Sequence, residues 1–207
     1  TRAGLLAAAG SVVWVAATGA VSTSGVWHVD EPWARLMPYL ATCLLLAIGL
    51  GLSPVGRRLA TGVPVGLLVG VQAFRLPLEL VLHDWAQVGT IPIDLSYLGQ
   101  NFDVIPAVLA LAIAPFAARS RWAVLLFELI GLAMLANIVR IVQLNVPGSP
   151  FFVPHGEPPL LLPLYVPTTW IVSVCVTGAI FGHVVLGVGR WRAFRASAPA
   201  QAGVPST

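Results

Sequence analysis

Four polar side chains share one face of a strongly apolar stretch: Gln72, Arg75, Glu79 and His83. In an α-helix, at 100° per residue, they fall within about 80° of one another. The surrounding residues 59–82 are apolar enough to cross a bilayer, and an ionisable group at membrane depth marks a candidate functional site. Glu79 is suited to act as a general acid or base, His83 as a second proton-transfer group, and Arg75 as a clamp for negative charge.

A structural interpretation of the same face stays open. Arg75 and Glu79 are four residues apart and can pair along the helix. Pro77 lies between them, removes a backbone hydrogen bond and is expected to distort the helix. A pair that neutralises itself could hold helices together without any chemistry.

A second polar group is expected at similar depth in another apolar segment. Asn137 and Arg140 are three apart and so share one side of a helix. Together with Arg75 and Glu79 they predict a shared polar cavity, in which Arg140 requires a carboxylate or an anionic ligand. Its candidate carboxylate partners are Glu79, Asp103 and Glu157.

Residues 101–103 precede an apolar segment. Asn101 and Asp103 can cap the N-terminus of a helix, and Pro106 suits its first turn. A functional role is compatible with helix capping, because the N-terminus of a helix also favours the binding of anions. The candidate catalytic residues are Glu79, His83 and Asp103, and the candidate substrate-binding residues are Gln72, Arg75, Asn101, Asn137, Arg140, Glu157 and Trp170.

Other constellations are weaker. Glu128 and His183 are predicted to form a separate structural pair near the opposite membrane surface. Metal-ligand types occur at His83, Asp103, His155 and Glu157, but no spacing places two histidines on one helix face, so no metal is expected. The chain has no phosphate-binding loop, dinucleotide fingerprint or haem motif, and no cofactor is predicted.

The composition predicts an all-α integral membrane protein. Hydrophobic residues make up 57% of the chain and charged residues 9%, with a mean hydropathy of +0.89, whereas soluble domains carry about 25% charged residues. All eleven basic residues are arginines near or inside apolar segments, so the basic pI does not indicate a nucleic-acid partner.

Six helical spans are predicted, because lipid leaves backbone groups no other partner. They cover residues 5–21, 37–52, 59–82, 104–118, 122–144 and 165–188. The first also has the length of a signal peptide, but a retained span is preferred. With six spans, only Arg35 lies on one side of the membrane outside the spans. The other side carries eight arginines: Arg2, Arg57, Arg58, Arg119, Arg121, Arg190, Arg192 and Arg195. Both termini are therefore expected in the cytoplasm of a bacterium, with the chain in its inner membrane.

The expected organisation is one transmembrane domain, residues 1–195, followed by a flexible tail, residues 196–207. Residues 146–163 contain six prolines, so they cannot form regular helix and are expected to cover the outer ends of the helices. No internal repeat is found, which disfavours a transporter built from inverted repeats.

From about residue 72 onward the chain resembles a group of uncharacterised small bacterial multi-pass membrane proteins. The resemblance covers roughly two thirds of the chain. It rests on Phe74-Arg75 with Glu79, on residues 99–103 (Gly-Gln-Asn-Phe-Asp), on Gly131 through Asn137-Ile138-Val139, on Glu157-Pro158, and on Trp170 and His183. It implies a multi-pass membrane fold but no particular activity.

Three functions fit these features. The first is an acid–base enzyme, of isomerase or cyclase type, acting on a lipid-like or terpenoid molecule, since no nucleophile–base pair stands out. The second is an accessory subunit that binds other membrane subunits. The third is a proton-coupled carrier of a small solute. Membrane lipid is a partner in all three.

Overall fold

The part of the chain described by the computed structural model, residues 2–26, 30–154 and 156–197, is helical and has no β-strand. The helices are α1 (Arg2–Thr23), α2 (Pro32–Leu52), α3 (Pro54–Gly62), α4 (Val65–Gly70), α5 (Arg75–Gln87), α6 (Val104–Ile113), α7 (Arg121–Asn145) and α8 (Thr177–Ser197). Short 3₁₀ turns lie at Val71–Phe74, Ile93–Leu95, Ala114–Phe116 and Leu162–Leu164, and a π-helical stretch, Ile171–Val176, leads into α8.

Four continuous helical stretches are long and apolar enough to cross a membrane: Pro32–Leu52, Val65–Gln87, Arg121–Asn145 and Ile171–Arg195. Shorter apolar helices occupy Ala8–Thr23 and Val104–Phe116. Large apolar side chains such as Leu45 and Leu67 are exposed on the outside of these helices, as expected for a surface that contacts lipid. The prediction of an all-helical chain of membrane-protein type is confirmed at this level.

The third predicted span is shifted along the chain. It was expected over residues 59–82, but α3 ends at Gly62 and the helix resumes at Val65. The cause is Pro64, which disfavours helical geometry in the preceding residue; Val63 is extended, with φ −105° and ψ 134°. Pro77 lies inside α5, which runs from Arg75 to Gln87, and the 3₁₀ turn Val71–Phe74 precedes that helix. Pro77 has no N–H to donate to the carbonyl of Ala73, which lies in the 3₁₀ turn.

One end of the bundle, here called the loop end, is formed by residues 88–103 and 146–164. The proline-rich segment is irregular, as predicted, and is tied to the C-terminus of α7 by backbone hydrogen bonds from Val153 to Leu144 and from Leu160 to Asn145. Leu160 is buried in a core cluster shared by α2, α5 and α7. The segment therefore covers the helix ends as expected. His155, His28 and Trp27 lie outside the described residues, as does most of the predicted tail, residues 198–207.

Helix α1 is held against the π-helical stretch by two indoles. Trp14 Nε1 donates to the Ser173 carbonyl at 2.7 Å, and Trp170 Nε1 donates to the Val15 carbonyl at 3.1 Å. Ser22 Oγ donates to the Leu164 carbonyl at 2.7 Å and ties the end of α1 to the loop end. Trp170 therefore stabilises the packing of α1 against the π-helical stretch.

Candidate functional site

A buried ion pair forms the centre of the polar site. Arg75, the first residue of α5, is 1% exposed, and its Nη1 lies 3.2 Å from Oδ1 of Asp103, the residue before α6. The Asp103 side chain makes no helix-capping hydrogen bond. The predicted capping role of Asp103 is thus wrong: its carboxylate pairs with Arg75, because a buried guanidinium requires a countercharge.

Glu79 is held by an amide. Asn101 Nδ2 donates to Glu79 Oε2 at 2.7 Å and to the Leu95 carbonyl at 3.0 Å, while its Oδ1 accepts from the Asp103 backbone N–H at 3.1 Å. Asn101 therefore binds Glu79 and the start of α6 at once. The expected Arg75–Glu79 pair is replaced by two separate contacts, Arg75 with Asp103 and Glu79 with Asn101.

The cluster of Arg75, Glu79, Asn101 and Asp103, called the polar cluster below, borders a cavity of about 90 Å³. This volume is several times the ~10–15 Å³ needed by one water. Arg75, Glu79 and Asp103 contribute to its lining, and nearly all the remaining lining is apolar. It includes Leu36, Leu40, Leu78, Leu82, Leu135, Ile138, Val142, Leu162, Ile171, Val172 and Cys175. The arrangement suits an amphipathic molecule whose polar group faces the cluster.

Hydrogen-bonding capacity is left over in two residues that line the cavity, Arg75 and Glu79. Among the described residues, Arg75 Nε and Nη2 are buried without an acceptor, and Glu79 is bonded through Oε2 alone. A buried donor without a hydrogen-bond acceptor is unfavourable. The edge of the guanidinium formed by Nε and Nη2 is therefore a site for an oxygen acceptor. Glu79 Oε1 is the oxygen left to exchange a proton with a bound molecule.

Two residues of the predicted stripe lie elsewhere. His83 is half-buried; its Nδ1 is 3.0 Å from Ser96 Oγ and its ring stacks on Tyr97 at 4.2 Å between centroids. Gln72 is fully buried, but its Nε2 donates to the Ala179 carbonyl at 3.1 Å. Neither side chain lines the cavity, so the structure brings only Arg75 and Glu79 of the stripe to it.

The second arginine is not part of the polar cluster. Arg140 is exposed; its Nε donates to Asn137 Oδ1 at 3.0 Å and its Nη2 to Gln100 Oε1 at 2.5 Å. Asn137 Nδ2 in turn donates to the Gln100 carbonyl at 2.7 Å. The expected carboxylate partner and the shared cavity are therefore wrong: two neutral amide oxygens, of Asn137 and Gln100, accept from Arg140, and neither Asn137 nor Arg140 lines the cavity.

The remaining predicted site residues, Glu157 and Trp170, also lie away from the cavity. Glu157 is exposed on the proline-rich segment, and Trp170 is bonded to α1. Sequence reasoning missed Gln100, which joins Asn137 and Arg140 to Asp94, its Nε2 donating to Asp94 Oδ1 at 2.8 Å. No periodic pattern signals this contact, because Asp94 lies in a three-residue 3₁₀ turn and Gln100 in the turn that follows it. In the described part of the chain, no three His, Cys, Asp or Glu side chains come together to hold a metal.

The predicted Glu128–His183 pair is also wrong. Glu128 accepts a hydrogen bond from Arg190. His183 stacks on Phe127 with 5.3 Å between ring centroids, and neither ring nitrogen has a hydrogen-bond partner among the described residues. Its ring packs against Gly131, where a Cβ would lie 2.4 Å from Cε1 and Nε2.

Gly131→Ala should destabilise the protein by about 1–3 kcal/mol, because the added methyl would force the buried His183 ring to move. Thermal unfolding in detergent, followed by tryptophan fluorescence, measures the change. Gly178→Ala is the matched control, since nothing lies within 4 Å of that position. Adding His183→Ala should relieve the clash; a double variant no more stable than Gly131→Ala would contradict this placement of the ring.

Comparison with protein-family models, curated proteins and solved structures finds no match for this chain. The resemblance to small bacterial multi-pass proteins stays a prediction.

Proposed function

We propose that this chain is a membrane-embedded acid–base enzyme, of isomerase or cyclase type, acting on a lipid-like or terpenoid molecule. The cavity carries the proposal: it is apolar along most of its lining and meets Arg75, Glu79 and Asp103. Its lining suits an apolar substrate with a polar end. Glu79 transfers the proton and Arg75 stabilises negative charge that develops on the substrate.

Asn101 and Asp103 are positioning residues in this scheme. Asn101 fixes one oxygen of Glu79, and Asp103 fixes the guanidinium of Arg75. A low-dielectric wall around such groups strengthens their effect on the reacting atoms. His83 lies away from the cavity, bonded to Ser96, and has no role in the proposed chemistry.

Solvent deuterium provides the test, because an acid–base isomerase moves protons between carbon and an exchangeable carboxyl. The purified chain in nanodiscs of bacterial polar lipids is incubated in D₂O, and the extracted lipids are analysed by mass spectrometry. The wild type should introduce deuterium at carbon in one lipid species. Val142→Phe, which fills the cavity from a buried position on α7, should not, whereas the matched exposed variant Val81→Phe should. Absence of deuterium in every lipid with the wild type would refute the proposal.

The proposed topology has six spans in a bacterial inner membrane, with both termini in the cytoplasm. It adds Ala8–Thr23 and Val104–Phe116 to the four longer spans. The asymmetry of the arginines supports it, since arginine favours the cytoplasmic side.

Cysteine labelling in spheroplasts should reveal this topology. Cys43 and Cys175 are first replaced by alanine, and one cysteine is introduced either at Val88, exposed at the loop end, or at Thr61, exposed at the end of α3. A membrane-impermeant maleimide should label Val88→Cys in intact spheroplasts and Thr61→Cys only after lysis. The reverse pattern would invert the orientation, and equal labelling would contradict the span count.

A proton-coupled carrier is the second candidate. It is favoured by buried polar atoms beyond the cavity: Gln72 Oε1 and both ring nitrogens of His183 have no partner among the described residues. Gln72 and His183 continue the row of buried polar side chains from α5 toward α8, and their unpaired atoms are sites for water. Measurement of proton flux in proteoliposomes separates the two candidates. A carrier should give a proton flux, whereas the acid–base enzyme should give none.

A further inference from the structure

The unused hydrogen-bonding atoms of the residues that line the cavity limit what can bind there. Arg75 Nη1 is bonded to Asp103, while Nε and Nη2, the two adjacent N–H groups on one edge of the guanidinium, have no acceptor among the described residues. Both N–H groups of the Asn101 amide and its oxygen are already bonded. A ligand therefore meets two donors, both on Arg75, and must present an oxygen acceptor to them.

Charge decides which kind of oxygen fits. An arginine edge of this type commonly binds a carboxylate or phosphate. Here, however, Asp103 already pairs with the guanidinium, and a second carboxyl group, Glu79, lines the same cavity. An anionic ligand would add a further negative charge to a buried cluster with no other cation, and an unbalanced buried charge is strongly unfavourable. A neutral oxygen accepts the same two hydrogen bonds without that charge.

We propose that the substrate presents an uncharged carbonyl group to this site, its oxygen bonded to Arg75 Nε and Nη2 and its α-carbon facing Glu79. This inference rests on the proposed function and names its substrate class: a lipophilic ketone, aldehyde or enone. The apolar lining holds the hydrocarbon part, and the single arginine edge selects the polar group.

The chemical step is an enolisation. Glu79 Oε1 takes a proton from the α-carbon, the C–H electron pair becomes a C=C bond, and the carbonyl π pair moves to the oxygen held by Arg75. In a β,γ-unsaturated ketone or aldehyde the intermediate is a dienolate: the oxygen electron pair re-forms the C=O bond, the double bond moves between the α- and β-carbons, and the γ-carbon takes the proton back from Glu79, which completes an isomerisation. In a saturated ketone the proton returns to the α-carbon, which gives hydrogen exchange only. Atoms and electrons balance without a cofactor or co-reactant, and the net charge of the site stays constant throughout.

Three probes with equal tails test the head group: methyl decyl ketone, the carboxylic acid of the same chain length and the alkane. Binding to the purified full chain in detergent is measured by native mass spectrometry. The ketone should bind at least tenfold more tightly than the alkane and the acid, because two hydrogen bonds to a charged donor are gained without an added charge. In D₂O the wild type should exchange the α-hydrogens of the ketone, and Glu79→Gln should not.

The double variant Arg75→Gln/Asp103→Asn removes both charges together and should bind the ketone and the alkane alike. If the double variant does not fold, the preference of the wild type for the ketone over the acid and the alkane still tests the carbonyl assignment. Preference for the acid, equal binding of ketone and alkane, or ketone binding without α-exchange would each overturn the carbonyl assignment. In those cases Glu79-dependent deuteration of native lipids would leave the proposed enzyme standing. Selective ketone exchange with no deuteration of native lipids would instead refute the proposed activity on membrane lipids and leave only the carbonyl-binding site.

Discussion

Glu79→Gln should lower the rate of deuterium transfer into substrate by about a hundredfold to ten-thousandfold, the usual contribution of a positioned general acid or base. The amide has the same shape as the carboxyl, and its oxygen can still accept the hydrogen bond that Asn101 now donates to Glu79 Oε2. It cannot take up a proton from carbon. Proton transfer should therefore stop while the polar cluster keeps its geometry.

Glu128→Gln is the matched control. Glu128 is also a buried glutamate on a membrane-length helix, but it is bonded to Arg190 and does not line the cavity. The rate of deuterium transfer, normalised to folded protein from size-exclusion chromatography, should fall for the variant at 79 and not for the control. Equal rates in the wild type and Glu79→Gln would remove Glu79 from the mechanism.

Arg75→Gln should cost about 3–5 kcal/mol of stability, because it leaves the Asp103 carboxylate buried and unpaired. Arg75 is among the largest side chains that are completely buried, and Nη1 to Asp103 Oδ1 is its one hydrogen bond among the described residues. Thermal unfolding in detergent should shift to a clearly lower temperature. The double variant Arg75→Gln/Asp103→Asn should recover part of the loss, since neither residue is then charged.

Arg140→Gln provides the comparison at an exposed arginine. Arg140 is bonded to Asn137 and Gln100 at the surface, and exposed polar contacts contribute about 0–1 kcal/mol. A loss of stability in this variant as large as in Arg75→Gln would contradict the burial of one arginine and the exposure of the other.

The apolar pattern predicted much of the scaffold. Long hydrophobic stretches interrupted by Pro54 and by Arg119 to Arg121 place most helix boundaries within a few residues, because proline and charge end membrane-length helices. The break at Val63-Pro64 was overlooked since the hydrophobic run continues through it. The spacing of Gln72, Arg75, Glu79 and His83 predicts one polar face; Gln72, Arg75 and Glu79 are buried, and His83 is half-buried.

Partners were harder to predict than burial. Arg75 and Glu79 are neighbours on one helix and can pair, but residues 101–103 supply a carboxylate and an amide from irregular chain instead. Arg140 was placed in the same cavity by depth alone. Depth does not define the direction of a side chain around the helix axis, and Arg140 points to the surface.

The sequence by itself determined an apolar, helical chain of membrane-protein type and a costly set of ionisable residues inside it, since composition and helical period depend only on residue order. The tertiary structure decided which of these residues meet: it joined Arg75 to Asp103 and Glu79 to Asn101 beside an apolar cavity. It also separated His83, Arg140 and Glu157 from that cavity. These contacts join residues more than twenty positions apart, and helical periodicity carries no information across the irregular chain between them.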